Sequence, residues 1–233
     1  MIIATDDRQQ TTDNRRPTKA MQLKTRTDKI RKILRELYPD VKTQLFYNTP
    51  FQLLVATILS AQCTDKQVNR VTTVLFNHLK TPADFCEAPI KTIEGFIRST
   101  GFYHNKAKNI KNCSRTLLET HDGHVPQTLA ELVELPGVGR KTANVVLGAA
   151  FGIPGIVVDT HVARISGRLG LTANTDPVKI EFDLMKIMPK RAWHGFCLHL
   201  IFFGRATCVA RKPKCPICHL NKLCPWPDKT DSL

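Results

Sequence analysis

The chain has 233 residues, 42% of them hydrophobic, enough for one large domain or two small ones with cores of their own. Its 34 basic and 20 acidic side chains leave a formal charge of +14, an excess that opposes compaction by self-repulsion and points to a polyanionic partner. Nucleic acid is the first candidate and an anionic membrane surface the second, with a basic protein lacking such a partner as the plain alternative. A membrane span is excluded, because the uncharged run 142–158 is broken by Gly152, Pro154 and Gly155.

The first twenty or so residues are polar and mix Asp6, Asp7 and Asp13 with Arg15 and Arg16. They hold no long apolar core and no cleavage pattern, so they read as a disordered tail rather than a secretory or transit peptide. A reducing, cytoplasmic setting follows. Helical periodicity then takes over: Ile30, Ile33, Leu34 and Leu37 form one buried stripe. The run Phe51–Leu59 is apolar nearly all round and suits a central buried helix. Val68, Val71, Leu75 and Leu79 repeat the helical spacing, as do Ile90, Ile93 and Ile97. Thr81-Pro82 reads as an N-cap with proline at the first helical position, and Thr128 with Glu131 as a capping box. Ile156–Val158 is too short to imply a sheet. The pattern predicts an all-α fold of about ten helices. Two basic groups stand out, Lys106, Lys108, Lys111 and Arg115, and then Arg205, Arg211, Lys212 and Lys214; each is either a nucleic-acid face or a solvated one.

The segment Leu135-Pro136-Gly137-Val138-Gly139 lies between the short helix capped at Thr128 and the apolar helix that begins near Lys141. Proline ends the first helix and two glycines permit a tight turn with exposed amides. With the free N–H groups of the next helix these make a site for one phosphate, held through the backbone without reading bases. A purely structural turn is the other reading. Lys141 falls in the first turn of the second helix, where the dipole disfavours an ammonium, the push a nucleophilic amine needs; partial burial would add to it. An ordinary phosphate-binding lysine is the alternative. Asp159 precedes a helix start at Thr160-His161-Val162, so it reads as an N-cap whose other oxygen is free to stabilise a sugar cation. His161 reads as structural.

Eight cysteines divide into two kinds. Cys63, Cys86, Cys113 and Cys197 are scattered through apolar or helical sequence and read as core or helix-surface residues. Cys208, Cys215, Cys218 and Cys224 give the spacing C-x6-C-x2-C-x5-C, four thiolates that fit either a tetrahedral zinc or a [4Fe–4S] cube. Chemistry alone leaves that choice open. The interleaved Arg211, Lys212 and Lys214 suggest a basic loop that the metal holds rigid.

Together, LPGVGRKTANVVL at 135–147, VDTHV at 158–162, the cysteine spacing, SAQCTD at 60–65 and GFYHNKA at 101–107 resemble the endonuclease III family of the helix-hairpin-helix glycosylase superfamily. The resemblance runs from about residue 25 to 226. It implies Lys141 as nucleophile, Asp159 as its acidic partner and a [4Fe–4S] cluster on Cys208, Cys215, Cys218 and Cys224. It also implies a two-domain all-α architecture, with a six-helix barrel over 43–153 and a discontinuous cluster domain of 25–42 and 154–226, flanked by tails at 1–24 and 227–233. Lys141 and Asp159 would face each other across the cleft. Leu135, Gly137, Val138, Gly139, Arg140 and Thr142 would meet the DNA backbone. Gln62 would fill the space an extruded nucleotide leaves, and Phe102 stands where a wedge residue, usually leucine, enters the stack.

The function implied is a bifunctional DNA glycosylase/AP lyase of base excision repair, acting on oxidised pyrimidines or abasic sites in duplex DNA. It would work as a monomer near the nucleoid, without a small-molecule cosubstrate. Two rivals stand beside it. A monofunctional mismatch glycosylase of the superfamily would lack the lysine and would need more chain after Cys224 for a further recognition domain. A non-enzymatic DNA-binding protein with a structural zinc would show no activity on damaged duplexes.

Overall fold

The computed structural model describes residues 18–231, which are helical and loop with no strand among them. Helix α1 (Lys19–Leu37) is capped by Thr18, whose Oγ1 accepts from Met21 N at 3.3 Å. Residues 19–24, assigned to a tail by sequence, are therefore its first turns; most of that tail, residues 1–17, lies outside the described residues. Helices α2 (Pro50–Leu59) and α3 (Asp65–His78) are each entered through a threonine cap, Thr49 and Thr64. The six-residue α4 (Pro82–Glu87) has a full capping box between Thr81 and Asp84. It leads to α5 (Ile90–Ile97), a 3₁₀ turn at Arg98–Thr100 and the long α6 (Tyr103–Thr120).

Helices α7 (Leu129–Glu134) and α8 (Arg140–Phe151) flank the glycine turn. At Thr128 only half of the expected capping box forms. Its Oγ1 accepts from Glu131 N, but the Glu131 carboxylate takes the threonine hydroxyl proton rather than a backbone N–H. After an extended stretch come α9 (Thr160–Arg168), α10 (Pro177–Ile187), a 3₁₀ turn at Lys190–Ala192 and α11 (Trp193–Ala206). The cysteine loop follows, with 3₁₀ turns at Cys215–Ile217 and Asn221–Leu223.

Two hydrophobic cores form, and chain order does not divide them simply. The first gathers buried residues from Leu45 to Leu147, so that α2–α8 share it; α2 sits at its centre with Phe51–Leu59 all buried. Each large side chain enclosed there is worth roughly 1.5–3 kcal/mol. The second joins Ile30 and Leu34 of α1 to Ile156, Val162, Leu184, Leu200 and Leu220, which brings the N-terminal helix back to the last third of the chain. Helix α8 serves both, with Ala143, Val146 and Leu147 in the first core and Val145 against the second.

Ile156 and Val157 belong to no strand, and a side chain partners one backbone group of each. Asn144 Nδ2 donates to Ile156 O at 3.2 Å, and Val157 N donates to Cys197 Sγ at 3.3 Å. The segment 227–231, a tail by sequence, lies against the cysteine loop. Lys229 Nζ donates to Asn221 O and Oδ1, both at 2.9 Å, and the Thr230 hydroxyl donates to Pro213 O.

Candidate active site

The extended segment 156–158 delivers Asp159 to the N-cap of α9, where its Oδ1 accepts from Val162 N at 2.8 Å. No other hydrogen bond reaches the carboxylate among the described residues, so the cap leaves one oxygen toward the cleft. Lys141 lies in the first turn of α8 and is exposed, not partly buried as the sequence suggests. Both side chains line one cavity of about 280 Å³ between the two cores, together with Gln62, Thr142, His194 and Arg205. His161 sits beneath Gly204, where a Cβ would come within 2.7 Å of its Nδ1. Burial lowers its pKa, Asp159 opposes that, and Arg164, Arg205 and Lys141 reinforce it. It is a packing residue, as read from sequence.

The glycine turn has the geometry its sequence requires. Gly137 takes φ +79°, and a Cβ there would stand 2.7 Å from Asn109 Cβ on α6, so both conformation and space demand glycine. Gly139 begins α8 with no side chain capping it, which leaves the first amides of a twelve-residue helix open to an anion. The other hairpin residues hold the turn. Leu135 and Val138 are 2% and 5% exposed, and Val138 N is used on Leu135 O at 3.0 Å.

Arg140 is placed differently from its sequence role as a DNA contact. It grips Glu181 of α10 with two bonds, Nε–Oε2 at 2.6 Å and Nη2–Oε1 at 2.8 Å. The clamp fixes the start of α8, and hence Lys141, to the second core. Nothing in the local sequence pairs these residues, which are 41 positions apart.

Gln62 and Phe102 are two of the four non-glycine residues with positive φ among those described, at 53° and 49°. A bulky side chain in the left-handed region costs of order 1–3 kcal/mol, and such strain collects at functional tips. Both residues are exposed, Phe102 by 65%, at the ends of loops that follow α2 and the Arg98–Thr100 turn. Their placement suits side chains that probe a ligand.

The basic groups divide. Lys108, Arg115, Arg211, Lys212 and Lys214 are exposed. Lys106 is buried at 5% exposure, and Lys111 donates to Cys86 O and Ala88 O, so neither belongs to a solvent-facing patch. Arg205 pairs with Asp65 of α3 at 2.9 Å and ties α11 to the first core. His194 and Glu181 carry no sequence signal. The His194 ring packs on Gly148, where a Cβ would lie 2.0 Å from Nδ1, and that nitrogen is buried without a partner among the described residues.

Cys208, Cys215, Cys218 and Cys224, none of them in a disulfide, line one small apolar hollow of about 30 Å³. Burial pushes the Cys218 thiol up, and Cys208, Cys224 and Cys215 add to it. Arg168 braces the loop: its Nη1 donates to Cys208 Sγ and Val209 O, its carbonyl accepts from Cys224 Sγ, and its guanidinium stacks on Trp226 at 4.1 Å. No set of three or more His, Cys, Asp or Glu among the described residues is arranged to hold a single metal ion. Four cysteine thiols on one loop are a donor set that suits a metal group bound through sulfur. No helix of the described residues is long and apolar enough to cross a membrane.

Residues 55–190 match the family of HhH-GPD superfamily base excision DNA repair proteins. The chain is 55% identical over 203 residues to endonuclease III of Synechocystis sp., covering 87% of this chain and 93% of that protein. Two solved structures, a non-covalent endonuclease III–DNA complex and a trapped endonuclease III–DNA covalent intermediate, each superpose with TM-score 0.83 at 45% identity, covering 87% of this chain and 95% of theirs.

Proposed function

Because this chain belongs to the endonuclease III family, within the HhH-GPD superfamily of base excision DNA repair proteins, we propose that it is a bifunctional DNA glycosylase/AP lyase. The carrying observation is that Lys141 and Asp159, from different helices, line one cleft beside an uncapped helix start. The trapped covalent endonuclease III–DNA intermediate of a relative supports a reaction that passes through a protein–DNA bond, and Lys141 is an amine in this cleft that can form it.

The substrate is duplex DNA carrying an oxidised pyrimidine or an abasic site. The amides of Gly139 and the first turn of α8 hold a phosphate, with Gly137 shaping the turn and Thr142 beside the cleft. Exposed Lys108, Lys212 and Lys214 add attraction to the backbone. The damaged nucleotide is extruded at a cost of a few kcal/mol, less for a damaged base. Gln62 fills the gap and Phe102, a phenyl ring in place of the family's usual leucine, wedges the stack.

Lys141 Nζ attacks C1′ and the base leaves with the electrons of the glycosidic bond, while Asp159 stabilises the positive charge that develops on the sugar. Loss of a proton from nitrogen and opening of the sugar ring give a Schiff base, which acidifies C2′. Abstraction of a C2′ proton expels the 3′ phosphate, and hydrolysis returns the amine.

Cys208, Cys215, Cys218 and Cys224 would hold a [4Fe–4S] cluster that stiffens the basic loop; base release and β-elimination require no electron transfer. The division into a barrel domain of 43–153 and a cluster domain of 25–42 with 154–226 agrees with the two cores. The enzyme acts as a monomer in the cytoplasm at the nucleoid.

Borohydride tests the reading. It should trap a covalent adduct on a duplex carrying an oxidised pyrimidine, and Lys141→Gln should abolish the adduct while duplex affinity stays nearly intact. Asp159→Asn keeps the cap, since asparagine caps about as well, and should slow base release by ~10²–10³ without altering melting. Adduct at the wild-type level in Lys141→Gln would place the nucleophile elsewhere.

A further inference from the structure

Lys106 is the least expected charge in the molecule. It carries no acidic partner among the described residues, yet it is buried at 5% exposure. An unpaired ammonium there is costly, and burial lowers its pKa while the Cys63 thiol nearby opposes that. Two carbonyl oxygens offset the cost: Nζ donates to Leu59 O at 2.9 Å and to Thr100 O at 2.8 Å.

Both acceptors are ends of helical segments. Leu59 closes α2 and Thr100 closes the 3₁₀ turn before Gly101. Neither oxygen accepts another hydrogen bond among the described residues. The chain leaves Leu59 through Ser60 and Ala61 to Gln62, and leaves Thr100 through Gly101 to Phe102. One ammonium thus joins the bases of two loops whose tips are strained, exposed side chains. A second, weaker tie runs alongside, from Gln67 Nε2 of α3 to Ser99 Oγ at 2.6 Å.

We propose that Lys106 is a positioning residue for base extrusion, setting the separation and direction of Gln62 and Phe102 so that both enter the duplex together. This deepens the reading of those two residues as probes of the stack and rests on it. A three-donor ammonium suits the task. It attracts two helix-end carbonyls at once, and a charge-assisted bond in a dry site resists stretching more than a neutral one. An error of about 1 Å in such a pair can cost ~10²-fold in rate.

The test uses the full-length protein and duplexes with thymine glycol opposite 2-aminopurine, whose fluorescence rises when its stack is opened. Lys106→Met keeps the length of the side chain and removes the donors. It should abolish the fluorescence rise and lower single-turnover base release by ~10²-fold with little change in duplex affinity. Borohydride trapping on an abasic single strand, which has no stack to enter, should persist. Lys106→Arg, able to reach both carbonyls, should recover part of the fluorescence rise.

Wild-type fluorescence and base release in Lys106→Met would overturn the proposal, as would equal losses on duplex and single strand with melting intact. Should Lys106→Met fail to fold, Lys106→Gln, which keeps one donor group, takes its place under the same readouts. Gln62→Ala and Phe102→Ala are measured alongside. If neither changes the fluorescence, the probe reading itself is wrong, however Lys106→Met behaves.

Discussion

Replacing Arg140 by alanine separates two roles that its position at the start of α8 allows. The Glu181 side chain is 4% exposed and its bidentate partner 37% exposed. Removing the guanidinium strands a buried carboxylate, and breaking a fully buried pair costs roughly 3–5 kcal/mol. Here water enters through the exposed third of the arginine, so about 2–3 kcal/mol is the better figure. The lost contact with the Phe182 ring, 5.6 Å from the guanidinium carbon, adds little. At about 2–4 °C per kcal/mol for a chain of this size, Arg140→Ala should lower Tm by about 5–10 °C. Arg140→Ala with Glu181→Gln should recover part of that, because a neutral amide is cheaper to strand than a charge. Thermal melts give the first result, and duplex titrations against salt give the second. With roughly five phosphates neutralised, log K should fall with log salt at a slope of about −4 to −5, unchanged by Arg140→Ala. A Tm within about 1 °C of wild type, with the slope reduced by about 0.9, would show that Arg140 binds phosphate and that the clamp is incidental.

Gly137→Ala meets both a left-handed φ and Asn109 Cβ at 2.7 Å; a loss of ~1–3 kcal/mol in melting and weaker duplex binding are expected, with base release per bound complex less affected. Cys113 and Cys197 are pushed up by burial to about 12, so neither should be alkylated at pH 8 in the native protein, while half-buried Cys63 and Cys86 should react. Because these are acids with raised folded values, the stability they lend is complete below the ordinary thiol value of 9.0 and is lost as pH rises from there toward about 12. Denaturant midpoints across that interval measure the loss. Elemental analysis of anaerobically purified protein should find about four irons per chain, and Cys215→Ser should weaken duplex binding more than it slows chemistry; stoichiometric zinc would mean the wrong metal was inferred.

What the sequence by itself determined are features written in neighbouring residues. Helical periodicity gave the all-α class, and α2 is buried all round because Phe51–Leu59 is apolar all round. Gly137 and Gly139 fixed the hairpin, and Asp159 the cap of α9, since turns and caps are settled within a few positions. The resemblance then supplied roles for Lys141, Asp159, Gln62 and Phe102 that spacing alone left open. Only the tertiary structure decided which charges meet water. Lys106 and Lys108 look alike in sequence, yet two residues of rotation around α6 send one into the core and the other to solvent. Arg140 is claimed by Glu181, and Arg205 by Asp65, through contacts 41 and 140 positions apart. A charged side chain has little local preference for burial; its fate depends on which carbonyls and carboxylates the packed helices bring within about 3 Å, and that is known only once both cores have formed.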